Sequence, residues 1–286
     1  MYALAFALLC LCTLTTIVNA LGGGRWPIGI GMNKYVCSFL GGAVININQT
    51  ETTREVDKLP ALRTASAEWN VPWIKAPDNA SLSDSDKRHS LAQWVGIMGD
   101  DCDNVNWYPF LQAGTVVEIG ENEVTTASAW VEWFPAGPHF IPKENFTVSP
   151  NDKISVAVEV YTRISGHIYM KNLRTDQEYV AEVKADSPDD PKFHICLGPG
   201  VAQFFQEWVI AKDRADLPIF NNVTFTNMTA IDRRGEYHDL GSGTEDYWTM
   251  IDAGRQIGIP QGINEDSFVV YSPMGKTWSP HENIQC

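Results

Sequence analysis

Lys153-Ile-Ser-Val-Ala-Val-Glu-Val-Tyr161 alternates at every step, with Ile154, Val156, Val158 and Val160 in one register and Lys153, Ser155, Ala157, Glu159 and Tyr161 in the other. Successive side chains of a strand point to opposite faces, so this stretch reads as a half-buried β-strand. It is preceded by the turn signal Ser149-Pro-Asn-Asp152 and followed by period-2 runs at Gly166–Asn172 and Glu178–Lys184. A second turn cluster, Ser187-Pro-Asp-Asp-Pro191, closes that group. Working outward, the same pattern predicts strands at Phe39–Ile47, Ala65–Val71, Leu91–Met98, Leu111–Ile119, Val124–Phe134, Ala202–Ala211, Val223–Ala230, Tyr247–Ile251 and Ser267–Tyr271. No segment carries a long helical stripe. The polar stretch Ala76–Ser90 reads as a surface loop, because strand patterns resume after it in the same style. Many short strands with turn punctuation imply an all-β fold, an antiparallel two-sheet β-sandwich of concanavalin or jelly-roll type.

The chain has 286 residues and a formal net charge of −14. Tyr2–Ala20 carries no charge, its centre is apolar, and Val18-Asn-Ala20 has a small-x-small pattern. Residues 1–20 therefore read as a cleaved signal peptide, and Thr13, Thr15, Thr16 and Asn19 argue against a membrane span. Residues 21–36 read as a short pro-segment or loose arm, and 37–286 as one domain in a secreted, extracellular protein. Cys37, Cys102, Cys196 and Cys286 remain after cleavage. An even count in an exported chain implies two disulfides, and the sequence alone leaves three pairings open. Sequons at Asn48, Asn79, Asn145, Asn222 and Asn227 are candidate glycosylation sites. The acidic surface disfavours nucleic acid and anionic membranes as partners. The histidines are scattered and no two of these cysteines are close in sequence, so no metal site and no cofactor are expected.

The chain lacks G-x-S-x-G, H-E-x-x-H, a P-loop and the D-[ST]-G signature of aspartic proteases. It has instead a set of Trp-rich polar strands. These are Trp94-Val-Gly-Ile-Met-Gly-Asp100, then Leu111-Gln-Ala-Gly114, then Ala129-Trp-Val-Glu-Trp-Phe-Pro135, then Gln206-Glu-Trp-Val-Ile210. Ser128, Trp130, Glu132 and Phe134 share one face, as do Phe205, Glu207 and Val209. A glutamate among apolar same-face neighbours is costly to bury ionised, so pattern alone favours an open sheet face over a site.

In this order, the motifs W-V-G-I-x-G-D, L-Q-x-G, A-W-x-E-W-x-P and x-E-W-x-[VI] resemble the eqolisins, the glutamic endopeptidases of peptidase family G1. Gly41-Gly-Ala-Val44 and Ala67-Glu-Trp-Asn-Val-Pro72 match upstream pieces more loosely, and the resemblance spans about residues 37–272. It implies a sandwich of two curved antiparallel sheets and a pepstatin-insensitive acid endopeptidase acting on polypeptides, expected here as a monomer. Carried over by position, the catalytic pair is Gln112 and Glu207. Glu207 would be the general base that activates water, and Gln112 would stabilise the oxyanion through an amide that stays uncharged in acid. Trp94, Trp130 and Glu132 match residues lining the site. The resemblance also places one disulfide at Cys102–Cys196, leaving Cys37–Cys286. Met98 and Ser128 stand where the family carries acids, and Trp94 to Gln112 is longer than the family spacing, with Asn106–Pro109 the insertion. Two alternatives stand beside this reading, and Met98 and Ser128 support the first. One is a catalytically impaired member that binds peptide or glycan. The other is a glycoside hydrolase using Glu132 and Glu207 as its carboxyl pair.

Overall fold

The structure, a computed structural model, describes residues 40–47, 61–76, 89–101, 108–119, 124–209, 218–241, 245–252 and 255–272. The expected signal peptide and arm, Asn48, Asn79, Cys37, Cys102 and Cys286 lie outside these. The strands are β1 Leu40–Ile47, β2 Leu62–Asn70, β3 Ile74–Lys75, β4 His89–Asp101, β5 Phe110–Ile119, β6 Thr125–Phe134, β7 His139–Phe140, β8 Lys153–Thr162, β9 Ser165–Asn172, β10 Gln177–Lys184, β11 Leu197–Val209, β12 Ile219–Phe220, β13 Val223–Asp232, β14 Tyr237–His238, β15 Glu245–Trp248, β16 Met250–Asp252, β17 Arg255–Asn264 and β18 Ser267–Tyr271. Among the described residues the only helical segment is a 3₁₀ turn at Pro191–Phe193, capped by the Asp190 side chain. The expected all-β antiparallel sandwich is the observed fold.

One sheet runs β15-β1-β11-β4-β5-β6-β7, and the facing sheet runs β10-β9-β8-β2-β13-β18-β17-β16, with β14 beside β13. Every described pairing is antiparallel. In β8 the alternation read from the sequence is realised: Ile154, Val156, Val158 and Val160 are fully buried between the sheets. Each such side chain contributes about 1.5–3 kcal/mol by leaving water. A polar chain crosses this core and is satisfied at each step. Trp69 Nε1 of β2 donates to Thr115 Oγ1 of β5 at 2.9 Å, and Thr115 donates to Gln93 Oε1 of β4 at 3.2 Å. Buried donors left unpaired would cost about 1–3 kcal/mol each, so this link fixes one sheet's position on the other.

Two expectations are corrected. Tyr247–Ile251 is not one strand: at Thr249 the chain leaves the first sheet as β15 and enters the second as β16. Trp248 and Met250, which a single strand would put on one face, therefore lie in different apolar clusters. The second correction is β17, which the period-2 reading left out.

Candidate active site

The two sheets differ in what their outer faces carry. β8 of the second sheet alternates buried and partly exposed residues, whereas β4, β5, β6 and β11 of the first are buried on both faces for most of their length. Their inward residues join the sandwich core. Their outward residues, among them Trp94, Met98, Phe110, Trp130, Phe134 and Phe205, form a second aromatic cluster. Trp94 packs on Phe110 at 6.0 Å and on Phe205 at 5.1 Å between ring centroids.

Register arranges this face in rows. The central row runs Trp130–Gly114–Trp94–Phe205 across β6, β5, β4 and β11. Gly114 lets the Trp94 backbone and ring base come close, since a Cβ there would lie 2.7 Å from Trp94 Cβ and 2.1 Å from the Gln93 carbonyl oxygen. On one side lies the row Glu132–Gln112–Gly96–Gln203. On the other lies Ser128–Val116–Ala92–Glu207. Gln112 and Glu207 therefore flank the Trp94 row, and each is bonded to a different neighbour. The β4–β5 ladder is in regular register from Met98↔Phe110 to His89↔Ile119, which sets Gln112 opposite Gly96.

Gln112 is buried, and its Nε2 lies 2.5 Å from Glu132 Oε2. Gln112 Oε1 and Glu132 Oε1 are buried without a hydrogen-bond partner. Trp94 Nε1 donates to Glu207 Oε2 at 3.2 Å, so the indole both lines the face and holds the acid. Burial pushes the Glu207 carboxyl up to about 7, against the lowering effect of that indole N–H. Burial pushes Glu132 up to about 8, helped by the negative charge of Glu207 and opposed by Gln112 and the Gly137 backbone N–H. Both groups are neutral in acid.

Met98 is buried beside Val201, with its Sδ 3.7 Å from Gln203 Nε2. It fills its place with apolar volume rather than charge. Ser128 is half-buried at the far end of the Glu207 row. Gln203 is a site-face residue that the sequence reading did not single out. Its Oε1 is also buried without a partner. Extending the alternation Phe205-x-Glu207 two residues back would have found it. Cys196 is disulfide-bonded to a partner outside the described residues. Asn145, Asn222 and Asn227 are exposed. Elsewhere, Asp232, Glu236 and His238 cluster, but Asp232 is taken up by Arg234 and by backbone N–H groups of its own turn.

The model of the Peptidase A4 family matches residues 44–268. Among curated proteins the chain is similar to Aspergillopepsin-2 of Aspergillus niger, at 28% identity over 181 residues. That match spans 58% of the relative's length and 58% of this chain. Among solved structures it is similar to scytalido-glutamic peptidase with a transition state analog inhibitor, at TM-score 0.60 and 21% identity over 82% of this chain and 97% of that one. It is also similar to SCP-B, a member of the eqolisin family of peptidases in complex with the tripeptide Ala-Ile-His (TM-score 0.57, 21% identity, 82% and 97% covered). Aspergilloglutamic peptidase from Aspergillus niger aligns at TM-score 0.52 and 25% identity, over 64% of this chain and 99% of that one. With its motifs in family order on one face of a two-sheet sandwich, and the family model matching nearly the whole described fold, the chain belongs to the Peptidase A4 family, the eqolisins.

Proposed function

We propose that the protein is a secreted glutamic endopeptidase in which Glu207 moves the protons and Gln112 binds the carbonyl oxygen of the scissile peptide bond. The supporting observation is the pair itself. Two buried polar side chains flank Trp94 on an aromatic face outside the sandwich core, and each is held by a dedicated neighbour. A β-strand platform with locked rotamers suits a preorganised site.

Burial changes one part of the expected chemistry. A carboxyl raised to about 7 is protonated at the acid pH expected for the enzyme, so Glu207 enters the reaction as an acid rather than as a base. As water attacks the carbonyl carbon, Glu207 gives its proton to the carbonyl oxygen and takes one from the attacking water, leaving a neutral gem-diol. It then protonates the amide nitrogen as the C–N bond breaks, and recovers a proton from a gem-diol hydroxyl. Gln112 supplies an amide N–H to the carbonyl oxygen as charge develops there, and loss of such a donor costs about 100- to 1000-fold in rate.

The test is hydrolysis of acid-denatured casein beside a polysaccharide reducing-end assay. Wild type should cleave casein only, and folded Glu207→Gln and Gln112→Ala should lose nearly all of that activity. Glu207→Gln cleaving at the wild-type rate overturns the assignment. The glycoside hydrolase reading draws on the two buried carboxyls sharing a face, yet Glu132 is engaged by Gln112 rather than free to act on a sugar. Sugar release without casein cleavage would favour it. Binding of peptide or glycan without cleavage of either would favour the impaired member. We also propose the Cys102–Cys196 disulfide. The reading is supported by the register Leu197↔Asp101, which pairs the sequence neighbours of the two cysteines, and by the disulfide at Cys196, and non-reducing peptide mapping checks it.

A further inference from the structure

We infer that Glu132 is a positioning residue that sets which end of the Gln112 amide faces the substrate: as a neutral acid its O–H donates to Gln112 Oε1 and turns Nε2 outward, and as a carboxylate it captures Nε2 and withdraws it. This rests on the reading of Gln112 as the carbonyl-oxygen donor. The two side chains are directly opposed across β5 and β6, both fully or nearly fully buried, so the amide has little choice of partner on that side. Their separation is 2.5 Å. That is short for N–H···O, which spans about 2.7–3.2 Å, and ordinary for O–H···O, at about 2.5–3.0 Å. The oxygen and nitrogen of a glutamine amide occupy interchangeable positions, and the bonding network decides which is which.

The orphaned atoms point the same way. With Nε2 on Glu132, one of its two N–H groups is spent there, and the orphaned Oε1 beside it is an acceptor that cannot stabilise a developing oxyanion. A protonated Glu132 would also keep a buried O–H without an acceptor. Exchanging the amide ends gives that O–H its acceptor and frees Nε2, with its two N–H groups, for the substrate. One proton on Glu132 thus satisfies the pair and arms the site.

Among the described residues, the titratable group acting on Glu132 from another strand is Glu207 of β11. Glu118, on the same face of β5, accepts from Ser90 further along the strand. His139 of the neighbouring β7 is exposed at the sheet edge. Once Glu207 ionises, above about pH 7, its negative charge favours the neutral form of Glu132 and delays the loss of that second proton.

Three folded proteins decide the matter: wild type, Glu132→Gln and Glu132→Leu. A glutamine can still donate to Gln112 Oε1, whereas leucine keeps the volume and cannot. Glu132→Gln should keep kcat in acid within about tenfold of wild type. Glu132→Leu should lose about 10- to 100-fold in kcat with KM little changed. Equal activity of the two variants, or Glu132→Gln as inert as Gln112→Ala, overturns the assignment. A second measurement uses wild type alone. The Gln112 side-chain amide resonance, identified by its absence in Gln112→Ala, should shift in proton NMR as Glu132 titrates. A resonance unmoved between acid and alkaline pH overturns the inference, even where variants fold poorly. If Glu207→Gln proves fully active, the functional reading fails, while the NMR titration still judges the Gln112–Glu132 switch independently.

Discussion

Trp94→Phe separates an enzyme that starts from protonated Glu207 from one that starts from its carboxylate. The substitution keeps an aromatic ring against Phe110 and Phe205 and removes one group, the Nε1–H that reaches Glu207 Oε2 at 3.2 Å. A hydrogen bond to a charged group is worth about 1.5–3 kcal/mol, and the 3.2 Å separation argues for the lower end. At about 1.36 kcal/mol per pH unit, losing about 1.5 kcal/mol of carboxylate stabilisation raises the Glu207 titration by about one unit. If the neutral acid is the active form, kcat/KM is level in acid and falls tenfold per unit as pH rises through the Glu207 value. The variant's falling limb then moves upward by about one unit. One unit above the wild-type limb, the variant should keep about half of its own acid plateau, against about a tenth for wild type. The assay is kcat/KM for a fluorogenic peptide from pH 3 to 9, with circular dichroism confirming folding at each end. A folded, active variant whose limb stays put or moves downward refutes the role of the Trp94 N–H. Activity that rises with pH through the same limb in wild type refutes the acid-first mechanism.

Other outcomes follow from the same geometry. Glu132 and Glu207 both have folded-state values raised above the ordinary 4.5, so the stability they contribute is intact below about that pH and is lost as pH rises towards about 7 and about 8. Asp152 and Asp232 behave oppositely. Burial works to raise them, but bonds from Arg174, Asn172 and Ser149 to Asp152, and from Glu236 and Arg234 to Asp232, leave both lowered. Their contribution is lost as pH falls below the ordinary 3.8. The melting temperature should therefore peak near pH 4 and fall by pH 8, and Glu132→Gln should flatten the alkaline side. A wild-type melting temperature that rises steadily from pH 4 to 8 counts against neutral buried glutamates. Gly114→Ala should abolish hydrolysis, because its Cβ would sit 2.1 Å from the Gln93 carbonyl oxygen and displace Trp94. Full activity in a folded Gly114→Ala protein would show that this close approach is dispensable.

What the sequence made legible follows the physics of each strand. β8 was readable because one of its faces meets the core and the other meets solvent, so the burial pattern is written directly in its alternation. β17 was not, because Gly258, Pro260 and Gly262 are residues that strands disfavour and read as turn signals, although Ile257, Ile259 and Ile263 alternate with them. In the fold those small residues answer to packing: a Cβ at Gly258 would lie 2.5 Å from Met250 Sδ. The break at Thr249 was equally invisible, since a corner between sheets changes which side an even-numbered residue faces without changing the residues themselves.

For the site, parity placed Trp130, Glu132 and Phe134 together correctly, but pattern alone took their face to be open to solvent. The structure buries it, with Trp94, Phe110, Trp130, Phe134, Phe205 and Trp248 packed there into one apolar cluster. That burial is the source of the chemistry. Exposed, Glu132 and Glu207 would titrate near the ordinary 4.5, so that by about pH 6 both would be carboxylates, Glu132 would hold Gln112 by its nitrogen, and Glu207 would have no proton to give. Buried among tryptophans and phenylalanines, both keep their protons there, and in the proposed mechanism the two protons serve different ends: that on Glu207 is transferred in the reaction, and that on Glu132 turns an amide. No motif encodes this division of labour. The motif specifies glutamate at both positions, and the difference arises only from the neighbours that register supplies, an indole N–H for Glu207 and a primary amide for Glu132.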